Sequence, residues 1–176
     1  MGMTRIWERL YLGSLDDAAQ LAADNPFGIT TVLSLCSHKV PRKAKGISYT
    51  RIPIADSRPI SARQFDAVMA AIAQGVRHGY LLIHCVGGIS RSPIMTAAWL
   101  HRCGCMHLVA ALLAIRERRP VIDPSLGLLR SVAVHLSRDA PLPMKRGPLL
   151  AETRLLDPRQ TRSRDASATE ILAQIT

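Results

Sequence analysis

The segment HCVGGISRS, residues 84–92, places a cysteine, two glycines and an arginine close together. A cysteine is a nucleophile as its thiolate, and a nearby cation or helix N-terminus lowers the pKa of the thiol. Gly87 and Gly88 permit the backbone conformations of a tight loop, and Arg91, six positions after Cys85, can bind two phosphate oxygens with its planar guanidinium. This order of residues predicts an anion-binding loop, with Cys85 as the nucleophile toward a bound phosphoryl group.

The loop lies between a predicted strand and a predicted helix. YLLIHC is a short, continuously apolar run, which is typical of a strand buried on both faces of a sheet, and SPIMTAAWLHRC has helical composition. A strand, a glycine loop and a helix in this order direct backbone N–H groups and the positive end of the helix dipole at one point. The arrangement therefore predicts that the loop holds an anion.

Strands and helices alternate along most of the chain. The predicted strands are ITTVLSLC, ISYTRIPI and YLLIHC, and IWERLYLG is predicted to form one or two short strands that end at Gly13. The predicted helices are LDDAAQLAA capped by Ser14 and Asp17, residues 61–78, SPIMTAAWLHRC, HLVAALLAIRERR, and a last helix with Asp123 as N-cap and Pro124 at its first position. This alternation predicts an α/β fold in which helices cover the faces of a sheet.

Length and composition predict one globular domain at residues 1–138, followed by a tail or arm at 139–176. The chain has 176 residues, of which 48% are hydrophobic, and the tail holds four prolines, irregular charge and a short helical pattern at ATEILAQIT. No apolar run approaches the roughly 20 residues of a membrane span, and the N-terminus lacks the pattern of a secretory signal. The four cysteines are then expected to be free thiols in a cytoplasmic protein.

The positive charge is concentrated in the predicted domain. The formal net charge is +10, and residues 1–138 hold 17 Lys or Arg against 8 Asp or Glu. Such a field attracts nucleic acids, phospholipids and phosphorylated substrates. The basic residues are scattered, without an aromatic stacking series or a recognition-helix signature, so no stable nucleic-acid partner is predicted.

Residues 84–92 resemble the His-Cys-x5-Arg-Ser/Thr signature of the cysteine-dependent protein tyrosine phosphatases, and most closely that of the dual-specificity branch. Four further segments are similar to that branch: LYLGSLDDA, GITTVLSL, IPIADSRPISARQFDAVMAAI and RERRPVIDPSLGLLRSV. The similarity covers about Ile6 to Leu136. It implies an α/β fold with a central, mostly parallel, twisted sheet flanked by helices. It also implies hydrolysis of phosphotyrosine in proteins and, by analogy, of phosphoserine and phosphothreonine.

The resemblance implies a role for each site residue. Cys85 attacks phosphorus to form a phosphocysteine, and Asp56 protonates the leaving oxygen and then takes a proton from the attacking water. Ser92 donates a hydrogen bond to the sulfur, and His84 lies behind the loop and orients it. The residues that bind the phosphate oxygens, through backbone amides and the guanidinium, are Val86, Gly87, Gly88, Ile89, Ser90 and Arg91. No metal or cofactor is implied, and the expected partner is a phosphorylated protein.

Two aspartates compete for the role of general acid. Asp56 lies 29 residues before Cys85 in the loop-like segment ADSRP, and the helix and strand between them can return the chain to the same sheet edge. Asp123 in VIDPS resembles the acid of the low-molecular-weight phosphatases, which however carry their cysteine close to the N-terminus. Asp66 lies within a predicted helix and is expected at the surface. We therefore expect Asp56 to be the acid and Asp123 to be a helix cap.

Three further features have both a chemical and a structural interpretation. Cys36 ends a strand near the predicted site, so it either forms a reversible disulfide with Cys85 or is a buried apolar side chain. The alternating histidines and cysteines of residues 101–107 do not share a helix face, which favours a helix junction over a metal site. The arginines that end the helical pattern HLVAALLAIRERR either add to the positive field around the anion or are solvated and favour the helix dipole, and we expect the second: Arg116, Arg118 and Arg119.

Two departures from the dual-specificity branch concern packing near the loop. Ser125 stands where Asn is common, and Leu128 and Leu129 stand where an aromatic residue is common. No segment resembles the phosphotyrosine-recognition loop of the tyrosine-specific branch, which implies a shallower cleft. Two alternative functions stay open: the same chemistry on a phosphoinositide, glycan or RNA 5′ phosphate, and a non-catalytic phosphate-binding module. The intact Cys85 argues against the module, because binding alone needs no thiol.

Overall fold

The computed structural model describes residues 2–138, and the predicted tail with its short helix lies outside them. The strands are β1 (Thr4–Trp7), β2 (Leu10–Gly13), β3 (Ile29–Ser34), β4 (Ser48–Arg51) and β5 (Tyr80–His84). They form one sheet in the order β1-β2-β5-β3-β4, in which β2, β5, β3 and β4 are parallel and β1 is antiparallel to β2. The predicted α/β fold with a mostly parallel sheet is confirmed.

Helices cover both faces of the sheet. They are α1 (Leu15–Gln20), α2 (Ala62–His78), α3 (Arg91–Arg102), α4 (Leu108–Arg118) and α5 (Leu126–Arg138). The predicted cap of α1 is present, because the Ser14 hydroxyl accepts the Asp17 N–H at 3.2 Å and the Asp17 carboxylate accepts the Ser14 N–H at 2.8 Å. This capping box fixes the point at which the chain leaves β2.

The central strand is buried on both faces, as its apolar sequence predicts. Side chains alternate along a strand, so Leu81 and Ile83 face the large core formed with α2, α3, α4 and α5, whereas Leu82 faces a smaller cluster that includes α1. All three side chains have no exposed surface. Strand β5 therefore holds the residues that follow it in a fixed position.

The parallel strands bring their carboxyl ends to one edge of the sheet. His84, the last residue of β5, is in register with Gly13 of β2 on one side and with Ser34 of β3 on the other. Ligand sites of open α/β sheets lie outside this edge, where neighbouring strands end together. The predicted loop begins here, immediately after His84.

The start of α5 differs from the prediction. The helix begins at Leu126, so Asp123 is not its N-cap and Pro124 is not its first residue. The Asp123 N–H donates to the Ile89 carbonyl at 3.0 Å, and the Ser125 N–H donates to Ser90 Oγ at 3.1 Å. These N–H groups bind the glycine loop, and the helix starts only after that contact.

None of the helices described between residues 2 and 138 is both long and apolar enough to cross a membrane.

Candidate active site

The Cys85 thiol lies at the base of the loop that follows β5. Its residue is only 2% exposed, and the Ser92 hydroxyl donates a hydrogen bond to its sulfur at 3.3 Å. Ser92 is the second residue of α3, so its own N–H is one of the free donors at the start of that helix. The sulfur therefore faces the N-terminal end of α3.

Hydrogen bonds favour the ionised form of this thiol. Burial raises the pKa of Cys85, but hydrogen bonds from the Ser92 hydroxyl and from the Ser92, Ile89 and Gly88 N–H groups outweigh it, and the pKa is lowered below that of an ordinary thiol. A lowered pKa gives more thiolate at neutral pH, and the thiolate is the reactive form.

The loop carbonyls all point outward. Each carbonyl from residue 85 to residue 89 accepts a hydrogen bond from a group outside the loop or behind it. The donors are His84 Nδ1 for Cys85 (2.9 Å), the Leu15 N–H for Val86 (2.9 Å), Arg119 Nη2 for Gly87 (3.4 Å), Arg119 Nε for Gly88 (3.0 Å) and the Asp123 N–H for Ile89 (3.0 Å). In a trans peptide unit the C=O and N–H point in opposite directions, so the N–H groups of residues 86–90 are directed inward. An inward ring of N–H groups binds a tetrahedral oxyanion.

Gly88 is the residue that this curvature requires. Its φ of +66° lies in the left-handed region, and a Cβ atom built there would be 2.5 Å from the Gly13 carbonyl oxygen. No side chain fits between the loop and the end of β2.

Arg91, the first residue of α3, extends beside the loop. Its side chain is 14% exposed, and its Nε atom lies 3.3 Å from Asp56 Oδ2. That distance is within ion-pair range, but the buried Nε–H is not aligned for a hydrogen bond and has no other partner among residues 2–138. A buried guanidinium N–H without a partner suits a phosphate oxygen in this position.

Asp56 lies at the same loop. Its Oδ1 accepts a hydrogen bond from the Ser90 hydroxyl at 2.8 Å, and its side chain is 43% exposed. The Asp123 carboxylate has no hydrogen bond or ion pair among the described residues and is exposed. The geometry therefore places the carboxylate of Asp56, and not that of Asp123, beside Ser90 and Arg91.

The segment that carries Asp56 is held on the start of α5. The Ser57 N–H donates to Ser125 Oγ at 3.2 Å, and Ser57 has a φ of 60°, which is strained for a residue other than glycine. Gly127 leaves room for this contact, because a Cβ atom there would be 2.7 Å from the Ser57 carbonyl oxygen. Ser125 thus contacts both the acid-bearing segment and, through its own N–H, the hydroxyl of Ser90.

His84 lies behind the loop with no exposed surface. Its Nδ1 is 2.9 Å from the Cys85 carbonyl, which only accepts, so Nδ1 carries the proton and Nε2 accepts from the Ser34 hydroxyl at 2.7 Å. Burial lowers the pKa of His84, which keeps the ring neutral in this tautomer. The ring links the loop to the end of β3.

Arg119 is a site residue that the sequence interpretation misplaced. The preferred expectation, solvation at the end of α4, is wrong for this residue, because Arg119 is 3% exposed and donates to the carbonyls of Gly87 and Gly88. Arg116 and Arg118 are exposed, as expected. The position of Arg119 follows from α4 ending directly behind the loop, which no local pattern indicates.

Cys36 is buried at the end of the sheet near Cys85. Burial raises the pKa of its thiol, and both Arg91 and Cys85 are close enough to affect it electrostatically. The reversible disulfide between the two cysteines stays a prediction. If Cys36→Ser recovers from peroxide as the unmodified protein does, no such disulfide protects Cys85.

The histidine and cysteine cluster of residues 101–107 forms the connection between α3 and α4. The His101 and His107 rings lie 5.9 Å apart between centroids. Within residues 2–138, three metal-ligating side chains do not come together in this cluster or elsewhere.

Known proteins with similar sequences agree with the site that this geometry forms. Residues 10–137 match the family described as dual specificity phosphatase, catalytic domain. Dual specificity protein phosphatase 14 of Mus musculus is 31% identical over 133 residues, which cover 74% of this chain and 67% of that protein. Dual specificity protein phosphatase 2 of Mus musculus is 30% identical over 131 residues, which cover 73% of this chain and only 41% of that protein.

A solved structure with the same fold agrees with these relatives. The crystal structure of a mouse putative dual specificity phosphatase complexed with zinc tungstate matches with a TM-score of 0.68 at 26% identity, covering 77% of this chain and 87% of that chain. The sequence resemblance is therefore confirmed. This chain belongs to the dual specificity phosphatase family, and residues 10–137 are its cysteine-dependent catalytic domain.

Proposed function

We propose that the chain hydrolyses phosphotyrosine in proteins, together with phosphoserine and phosphothreonine, through a phosphocysteine intermediate. The observation that carries this proposal is the Cys85 sulfur, which accepts hydrogen bonds from loop amides while Asp56 is held at the same loop. A module that only binds phosphate needs neither a reactive thiol nor an adjacent carboxyl group.

In the first step the Cys85 thiolate attacks phosphorus, and an S–P bond forms as the P–O bond to the leaving group breaks. The leaving oxygen takes the proton of the Asp56 carboxyl group. The inward amides of residues 86–90 and the Arg91 guanidinium hold the three equatorial oxygens and stabilise their charge. The products of this step are phosphocysteine, an ionised Asp56 and the free alcohol or phenol.

In the second step water attacks the phosphocysteine. Asp56 takes a proton from this water, a P–O bond forms, and the S–P bond breaks to release inorganic phosphate. The sulfur leaves as a thiolate, which the Ser92 hydroxyl stabilises from 3.3 Å. Both steps use residues of the chain and water alone.

The proposed substrate is an acidic phosphoprotein. No Asp or Glu occurs from residue 25 to residue 55, and the exposed basic residues of this stretch form no ion pair among the described residues: Lys39, Arg42, Lys43, Lys45 and Arg51. Part of this basic stretch lies close to Cys36, because the Arg51 guanidinium donates a hydrogen bond to the carbonyl of the next residue, Ser37. Val86 and Ile89, exposed at 42% and 40%, offer apolar contact to a phosphotyrosine ring.

We also propose that the protein is located in the cytoplasm. All four cysteines, Cys36, Cys85, Cys103 and Cys105, are free thiols. Free thiols are the usual state in reducing compartments.

The function is tested by hydrolysis of p-nitrophenyl phosphate in the presence of EDTA, followed by a substrate panel. The panel contains phosphotyrosine and phosphothreonine peptides with acidic or basic neighbours, phosphoinositide vesicles and a 5′-phosphorylated RNA. We expect the highest kcat/KM for acidic phosphopeptides and a fall in that preference at high salt. Higher kcat/KM on the vesicles or the RNA would contradict the protein substrate, and no turnover of any ester would contradict the function.

Ser125→Ala should lower kcat for alkyl phosphates about fivefold, because the loss of one neutral hydrogen bond is about 1 kcal/mol. The lost bond is the one that Ser57 donates beside Asp56. For p-nitrophenyl phosphate, whose leaving group needs less protonation, the change should be smaller. Ser137→Ala is the matched control, because within residues 2–138 the Ser137 hydroxyl bonds only the Val134 carbonyl on the same helix. Equal effects on both substrates would show that Ser125 does not position the acid.

A further inference from the structure

Arg119 is a buried arginine, and its hydrogen bonds to the described part of the chain all go to oxygen atoms without formal charge. Its Nε and Nη2 donate to the Gly88 and Gly87 carbonyls at 3.0 and 3.4 Å. Its Nη1 donates to the Gly2 carbonyl at 3.0 Å and to Thr4 Oγ1 at 3.2 Å. One guanidinium thus joins two carbonyls of the phosphate loop to the N-terminal strand.

No carboxylate among the described residues pairs with this cation. The two ion pairs between residues 2 and 138 involve Arg91 with Asp56 and Arg102 with Asp66. Burial of an unpaired charge is costly, and such a charge is normally neutralised by a counter-ion. The contacts that Arg119 does make include two carbonyls of the phosphate loop, those of Gly87 and Gly88.

The contacts of Arg119 also fix the direction of two peptide units. Because C=O and N–H point in opposite directions within a trans unit, the bonds to the Gly87 and Gly88 carbonyls turn the N–H groups of Gly88 and Ile89 inward. These are two of the three amides that hydrogen-bond the Cys85 sulfur. The Arg119 guanidinium is therefore linked to the Cys85 sulfur through two planar peptide units.

We propose that Arg119 is a positioning residue of the phosphatase reaction, which holds the Gly87–Gly88 and Gly88–Ile89 peptide units with their N–H groups directed at the Cys85 sulfur and at bound phosphate. The assignment rests on the proposed function for its role in turnover, but its effect on the thiol exists without any substrate. Arg119 touches neither sulfur nor substrate and acts through the loop backbone. Its charge and its two-pronged geometry both contribute.

The test measures the ionisation of Cys85 directly. Purified Arg119→Gln, Arg119→Lys and unmodified chains are treated with iodoacetamide across a pH series, and alkylation of the Cys85 peptide is followed by mass spectrometry. Arg118→Gln is the matched control, because Arg118 is also at the end of α4 and donates to the Arg5 and Ile6 carbonyls but not to the phosphate loop. Thermal unfolding of each variant is recorded alongside.

We expect Arg119→Gln to slow Cys85 alkylation about tenfold at mildly acidic pH and to change it little at alkaline pH, where the thiol is ionised in every variant. The alkylation rate of Arg119→Lys should lie between those of Arg119→Gln and the unmodified chain, since lysine keeps the charge but lacks the planar guanidinium. The rising limb of kcat/KM against pH should move to higher pH in the same order. Arg118→Gln should follow the unmodified chain.

An unchanged pH dependence of Cys85 alkylation in a folded Arg119→Gln chain would overturn the proposal, even if its activity fell. If Arg119→Gln does not fold, the same comparison on Arg119→Lys decides the question. Failure of the proposed function has a different signature, because the unmodified chain would then show rapid alkylation of Cys85 at low pH without hydrolysis of any phosphate ester.

Discussion

Cys85→Ser should lower kcat on p-nitrophenyl phosphate by about a thousandfold or more. The hydrogen bonds that lower the pKa of the Cys85 thiol cannot ionise a serine hydroxyl, whose pKa lies far above that of a thiol. The substitution removes the nucleophile but leaves in place Arg91 and the backbone N–H groups that surround the anion site. The variant should therefore still bind tungstate or orthovanadate, which titration calorimetry measures.

Cys36→Ser is the matched control for this experiment. Cys36 is also a buried free cysteine near the carboxyl edge of the sheet, but burial raises the pKa of its thiol. It should retain activity within about twofold, because a protonated buried thiol takes no part in the reaction. Similar losses in both variants would contradict the assignment of Cys85 as the nucleophile.

The sequence predicts the nucleophile and its loop because their signals are local. An apolar strand, two glycines and a helix follow one another within residues 80–102, and hydrogen bonds between near neighbours, such as that from Ser92 to Cys85, complete the geometry. The capping box at Ser14 is equally local. Where the interacting residues lie within one or two turns, composition and spacing contain the information.

The support of the loop could not be predicted in the same way. Arg119 lies 31 residues from Gly88 along the chain, and it shares its residue type with the exposed Arg116 and Arg118. Ser125 lies 35 residues from Ser90. The destination of such side chains is set by how α4 and α5 pack on the sheet, so residue type and local spacing carry no signal for it.

The general acid was assigned through the resemblance, and the contacts of Asp56 give that assignment a physical basis. Ser90 Oγ donates to Asp56 and accepts from the Ser125 N–H, so one hydroxyl links the phosphate loop, the acid-bearing segment and the start of α5. Ser125 contributes to this link through its backbone N–H, which binds Ser90 Oγ, and through its hydroxyl, which accepts the Ser57 N–H. The Asp56 carboxylate is therefore held at the phosphate loop.

Asp56→Ala should lower kcat for alkyl phosphates and phosphothreonine peptides by about a hundredfold or more, which is the usual contribution of a general acid. For p-nitrophenyl phosphate the loss should be less than about tenfold, because a phenolate with a low pKa leaves without a proton. A plot of log kcat against the pKa of the leaving group should therefore be steep in the variant and shallow in the unmodified chain.

Asp123→Ala separates the two candidate acids. Asp123 contributes its N–H to the Ile89 carbonyl, and alanine keeps that bond, so the variant should follow the unmodified chain on every leaving group. A steep dependence on the leaving group in Asp123→Ala, together with a shallow one in Asp56→Ala, would transfer the acid role to Asp123. Because the Asp56 carboxylate contacts Ser90 and Arg91 whereas the Asp123 carboxylate has no such contact, we expect the opposite result.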